Sequence, residues 1–185
     1  DHYATARRSA LSFGAAAERL DGLISQAVRR RSRSDVPVGV FLSGGIDSSA
    51  VLAHLTEQFG RGVPVFALGY HDLAFDESRF ARETARQFGA EYHDLVLGES
   101  DLAEGLRRVG ESFDEPLGDA SIVPTHLLSL FARGKVKVVL SGEGGDELFA
   151  GYKRIAKHLR NGWRGNLRVP LPILPDAGPK GWRKA

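Results

Sequence analysis

The chain has 185 residues, 42% of them hydrophobic and 26% charged, with a net charge of +2 and no cysteine. That length suits one well-packed domain and is short for two. No apolar run could span a bilayer, and DHYATARRSA at the start has no signal-peptide pattern. Without cysteine there is no disulfide, thiolate metal site or cysteine nucleophile, which agrees with a cytoplasmic protein. The charge is uneven, acidic over 71–120 and basic over 153–185. A solvated surface explains the basic tail more simply than nucleic-acid binding does.

In chain order, Leu20, Leu23, Ile24, Ala27 and Val28 recur at helical spacing and predict an amphipathic helix over 15–31, closed by Arg29, Arg30, Arg31 and Arg33. Val36, Val38, Val40, Phe41 and Leu42 read as a buried central strand. A helix with Val51, Leu52, Leu55 and Phe59 follows, then a strand over 63–68. Asp76-Glu77-Ser78 opens a helix with Phe80, Ala81, Thr84, Ala85 and Phe88 inward, and Gly89 stops it. A strand over 91–97, a short helix over 101–109, a helix over 122–132 and a strand over 136–140 complete the pattern. Strands alternating with helices imply α/β architecture, an open parallel sheet with flanking helices. From Asn161 onward glycines and prolines interrupt any regular element, so that stretch is expected to be loosely ordered.

Two loops stand out. Ser43-Gly44-Gly45 joins the first strand to a helix that opens with Asp47, Ser48 and Ser49. Gly-rich backbone and a helix N-terminus attract anions. The loop lacks the Gly-Lys-Ser/Thr ending of a Walker A loop, and Asp47 would repel phosphate unless a cation stood between them, so a Mg²⁺-bridged polyphosphate is the natural occupant. A Gly-Gly turn after a strand can also be purely structural. The second loop tips the balance: Ser141-Gly142-Glu143-Gly144-Gly145-Asp146-Glu147 follows the last strand with the same Ser-Gly start and acidic end. Both loops belong at strand carboxyl ends, where open sheets bind ligands.

SGGIDSS resembles the PP-loop of ATP pyrophosphatases, which split ATP into AMP and pyrophosphate. Together with SGEGGDELFAGY and the intervening DEPLGDASIVPTHLLS, it resembles the synthetase domain of glutamine-dependent asparagine synthetases, over about Leu20 to Ile155. The resemblance implies an adenine-nucleotide alpha-hydrolase-like fold over 1–160, with 161–185 a basic tail starting a further region. It implies ATP and Mg²⁺ as cofactors, and aspartate and ammonia as small-molecule substrates. Glutamine would supply the ammonia through a glutaminase domain that lies outside this chain, since family members carry that domain before the synthetase and a helical, lysine-bearing region after it. A homodimer is compatible with this reading. The chain is thus expected to be a piece of an enzyme that adenylates the aspartate side chain and transfers ammonia to it. A relative acting on another carboxylate, including a β-lactam-forming synthetase, is the alternative; a tRNA-modifying relative would lack the second loop.

Within that resemblance Ser43, Gly44, Gly45, Ser48 and Ser49 would hold the leaving pyrophosphate, and Asp47 and Asp146 would bind Mg²⁺ through hard oxygens. Leu42 and Leu68 would contact adenosine, as would the backbones of Ser141 and Gly142. The two leucines would equally suit a core. Glu143 is the candidate catalytic residue, placed to act in forming or consuming the acyl-adenylate. Asp114, Glu115, Asp119 and Ser121 would line the substrate pocket, though Asp119 or Ser121 could simply cap a helix. The histidines show no ligand spacing and read as surface or satisfied core residues, and Tyr152 as a packing residue.

Overall fold

The structure is a computed structural model that describes residues 10–72, 76–115, 118–155 and 157. The chain divides into two compact units, residues 1–143 and 144–185. The irregular stretch expected from Asn161 lies outside the described residues.

The first unit is built on four strands, β1 (Val38–Phe41), β2 (Pro64–Tyr70), β3 (Glu91–Leu97) and β4 (Val138–Leu140). All pair in parallel in the order β3-β2-β1-β4. The chain winds outward from β1 to β3 and then returns to lay β4 on the other side of β1. The winding direction therefore reverses between β1 and β4, and at such a switch point the loops leaving two neighbouring strands diverge and open a crevice.

Helices cover both faces because alternate residues of each strand point opposite ways. On one face Val40, Leu42, Val65 and Ala67 pack with Val28 of α1 (Phe13–Arg31), Leu52 and Leu55 of α2 (Ile46–Phe59), and Ala81 and Ala85 of α3 (Ser78–Phe88). On the other, Phe66, with Phe41, Leu68 and Leu95, packs against Leu128, Phe131 and Ala132 of α5 (Ile122–Arg133). Removing a fully buried side chain such as Leu52 or Leu55 would cost about 2–5 kcal/mol. Buried His54 is held by carboxylates, with Nε2 3.3 Å from Asp21 and Nδ1 3.2 Å from Glu57.

Several boundaries move. Val36 lies before β1 and is 40% exposed, since Pro37 has no N–H to give to a sheet ladder. Val136 is buried but precedes β4. The helix expected over 101–109 is α4 (Glu99–Ser112), extended by an Asp101 carboxylate that accepts from the Gly98 N–H at 2.8 Å and by Glu104, Arg107, Arg108 and Glu111 paired along its surface. Phe59 and Phe80 are 60% and 54% exposed rather than inward. Phe59 sits at the last position of α2, beyond the sheet's cover, and the Phe80 ring turns out beneath the Arg79 guanidinium, 4.9 Å from its centroid.

The second unit, where described, contains the short helix α6 (Gly145–Phe149). Its turn closes through Gly151 N–H to Asp146 O at 3.0 Å, with the Asp146 carboxylate folded back onto Gly151. Tyr152 donates its hydroxyl to Glu147, which lowers the pKa of Glu147 and raises that of Tyr152, and Arg154 stacks on the tyrosine ring.

Candidate functional site

The first loop is shaped by its own serines. Ser48 is only 5% exposed, and its hydroxyl accepts from the Ser43 N–H at 3.3 Å, meets the Ser43 hydroxyl at 3.0 Å and donates to the Gly45 carbonyl at 3.3 Å. Ser49 donates to the same carbonyl at 2.7 Å, and the Gly45 N–H donates to Ser43 Oγ at 3.2 Å. The Ser48 and Ser49 hydroxyls are therefore spent on the loop itself. What remains for a ligand is the start of α2, where Gly45 occupies the cap position without any side-chain cap. The first N–H groups of a helix have no partner within it, so Ile46, Asp47 and Ser48 present a partial positive charge at the rim.

Two close approaches fix this loop. Gly44 has φ +79°, and a Cβ there would lie 2.6 Å from Ala81 N and from the carbonyl carbon of Phe80. The loop thus rests directly on the backbone of α3. On its other side, a Cβ on Gly142 would fall 2.6 Å from Ser48 N and 2.9 Å from the Asp47 carbonyl carbon. The second Ser-Gly loop therefore lies against the first turn of α2, as the adjacency of β1 and β4 requires. Its contents are exposed: Ser141 and Glu143 face solvent, joined by one weak bond from the Glu143 N–H to Ser141 Oγ at 3.4 Å.

The structure thus brings together Leu42, Ser43, Gly44, Gly45, Asp47, Ser48, Ser49, Ser141 and Gly142, with Glu143 next in the chain. Leu42 and Leu68 do not converge, since their side chains enter clusters on opposite faces of the sheet. Asp146 falls in the second unit. Asp114, Glu115 and Asp119 line a separate cleft of about 530 Å³ between α4 and α5, which no residue of the first loop lines. The Asp119 carboxylate accepts from the Ser121 N–H at 2.9 Å, which holds its pKa below the ordinary value. Asp119 thus caps α5, while Ser121, in the cap position, makes no side-chain cap bond.

Asp76 was not singled out as a site residue. Oδ1 accepts from Ser78 N at 3.1 Å and Tyr70 N at 3.4 Å, and Oδ2 accepts from Ser78 Oγ at 3.0 Å. These bonds, Ser78 foremost, hold its pKa below the usual 3.8. Asp76 ties the end of β2 to the start of α3, the helix on which Gly44 rests. An Asp two residues before Ser, just after a strand, is the signal that could have found it.

No three of the described His, Asp and Glu residues gather as a metal-binding group. Mg²⁺ does not need one, since one or two carboxylates plus phosphate oxygens complete its octahedron. Asp47 fits that pattern: half-buried in the first turn of α2, it makes no ion pair among the described residues.

An open parallel sheet with flanking helices and an anion-receptive loop at its switch point is an architecture this chain shares with solved synthetases. The glutamine-dependent NAD⁺ synthetase of Acinetobacter baumannii, solved with ADP, shares that fold with a TM-score of 0.52 and 24% identity over 93% of this chain and 37% of its own. The family model for asparagine synthase matches residues 19–184. A Methanocaldococcus jannaschii protein provisionally named a glutamine-hydrolysing asparagine synthetase is 40% identical over 151 residues, 81% of this chain and 28% of its own length. Glutamine-hydrolysing asparagine synthetase 1 of Bacillus subtilis is 40% identical over 129 residues, 70% and 20% respectively. This chain belongs to the asparagine synthase family, and it spans less than a third of the length of these relatives.

Proposed function

We propose that this chain carries the ATP-binding part of an ATP-dependent amide ligase that converts aspartate to asparagine. The aspartate side-chain carboxylate attacks the α-phosphorus of ATP, and the α–β phosphoanhydride bond breaks to release pyrophosphate. Ammonia, drawn from glutamine elsewhere in the whole protein, then adds to the acyl-adenylate carbonyl. One proton leaves the nitrogen for Glu143, and AMP departs with the electron pair of the broken C–O bond. The observation that carries this reading is the uncapped start of α2, braced by Gly142 at the switch point of a family member.

In this reading the N–H groups of the first turn, with Ser43, Gly44, Gly45, Ser48 and Ser49, cradle the leaving pyrophosphate, and the two later serines also brace the loop. Mg²⁺, when bound, would neutralise charge on the leaving group, held by Asp47 on the first loop; Asp146 is the further ligand that the family resemblance implies. By the family resemblance Leu42, Leu68 and the backbones of Ser141 and Gly142 would receive the adenosine, the two leucines from opposite faces of the sheet. Asp114, Glu115, Asp119 and Ser121 would serve the acceptor from a region apart from the first loop. Residues 1–160 form the synthetase domain and 161–185 begin the next region, in a cytoplasmic enzyme compatible with a homodimer.

The test is made in the whole protein, with aspartate, ammonia and Mg·ATP. Asparagine, AMP and pyrophosphate should form in equal amounts. Asp47→Asn should abolish pyrophosphate release while leaving the thermal unfolding midpoint in place. Release near the wild-type rate would remove the metal role, and no amide with any acceptor carboxylate would remove the ligase reading.

A further inference from the structure

A second cavity lies away from the ATP site, beside the segment that precedes β1. It is an open depression of about 550 Å³ between the end of α1 and the end of α2, within the size range of small-molecule sites. Its wall is rich in donors. Arg29 and Arg33 line it and make no ion pair among the described residues. The Gln58 side-chain nitrogen, also on this wall, is buried without a hydrogen-bond partner, while its oxygen accepts from the Ser32 hydroxyl at 3.2 Å. The one carboxylate in the lining, Glu57, is already engaged by His54 at 3.2 Å. Phe59, 60% exposed, supplies an aromatic face to the same cavity.

We infer that this cavity binds a phosphomonoester with an apolar or aromatic body, at a site separate from the PP-loop. Two guanidinium charges match a phosphate dianion, and their forked donors suit its oxygens. The ring of the ligand would lie on Phe59, the exposed aromatic side chain of this wall.

The inference is tested by titrating the isotopically labelled full chain with phenyl phosphate, inorganic phosphate and benzoate while following amide resonances. Phenyl phosphate should move the Gln58 side-chain amide and the backbone amides of residues 32–34, with inorganic phosphate binding more weakly at the same place. Arg29→Gln combined with Arg33→Gln should weaken that response by about tenfold or more, the loss of charge-assisted bonds. Both side chains are exposed, so the variant should keep its fold, checked by an unaltered response of residues 44–49 to Mg·ATP. Phe59→Ala should remove the advantage of phenyl phosphate over inorganic phosphate. Shifts confined to residues 44–49, wild-type affinity in the double variant, or benzoate binding as tightly as phenyl phosphate would each overturn the inference.

Discussion

The two Ser-Gly loops start alike in sequence and are built in opposite ways. In the first, Ser43, Ser48 and Ser49 are cross-linked by hydroxyl bonds, and Gly44 is pressed onto α3. In the second, Ser141 and Glu143 are exposed and share a single long bond. A rigid loop suits a group whose position never changes, such as a bound pyrophosphate, because donors held in place cost no reorganisation when charge develops. An open loop suits residues that act on a reacting centre as it changes shape. The same start thus leads to one cross-linked loop and one open loop.

The largest effect should come from overfilling the rigid loop. Gly44→Ala must place a side chain at φ +79° and within 2.6 Å of α3 backbone. The left-handed penalty and the overpacked contact together should cost about 3 kcal/mol or more. Gly45→Ala is the internal control, because its φ of −73° suits any residue and only Ser43 Oγ stands nearby. Denaturant unfolding of both variants decides the matter, and equal midpoints would mean that the loop is as yielding as its partner.

Next comes the open loop. Glu143→Gln keeps shape and most hydrogen bonding but removes charge and basicity. In the whole enzyme it should lower turnover by roughly 10²-fold, the usual loss for a general base, with little change in Mg·ATP binding, because contacts made only in the transition state affect rate more than affinity. Calorimetric titration with Mg·ATP beside an amide-formation assay separates the two. Lost nucleotide binding would make Glu143 a nucleotide-binding residue.

Much of this was legible in the chain because periodicity and loop chemistry agree here. β2, β3, α2 and α5 fall where their apolar spacing puts them, and parallel strands put both loops on one rim. What was not legible depended on what lies across the fold. Phe80 turns outward beneath Arg79 where Gly44 lies close to its backbone, a contact that no spacing reveals. Leu42 and Leu68 each look like a strand-end contact, yet one faces α2 and α3 and the other faces α5, a parity that depends on where each strand starts. Ser48 reads in the chain as a phosphate donor; that its buried hydroxyl also meets three groups of its own loop depends on the fold.

Those contacts give a smaller prediction. Ser48→Ala removes an acceptor from Ser43 N and a donor to Gly45 O, and should cost about 1 kcal/mol of stability, together with a few-fold loss in Mg·ATP affinity from a loosened loop. Ser141→Ala, in the open loop, should change stability by less than about 0.5 kcal/mol, as exposed positions usually do. Comparing the two by chemical unfolding tests the contrast directly, since equal losses would erase it.

The smallest effect should appear only on acidification. Asp76 braces α3, and so indirectly Gly44, through its bonds from Ser78 and Tyr70, which hold its pKa below 3.8. A carboxyl depressed in the folded state contributes stability that is present above its unfolded value and is lost as pH falls through the folded one. The stability gap between the native chain and Asp76→Asn should therefore be constant near neutrality and close as pH drops below about 4. An amide oxygen can still accept from Ser78, so the gap is one of charge and stays modest. Unfolding curves for both proteins from pH 7 to pH 3 measure it. A gap that persisted to the lowest pH would mean that Asp76 holds the loop by shape alone, and the rigid loop would then owe nothing to the charge beneath α3.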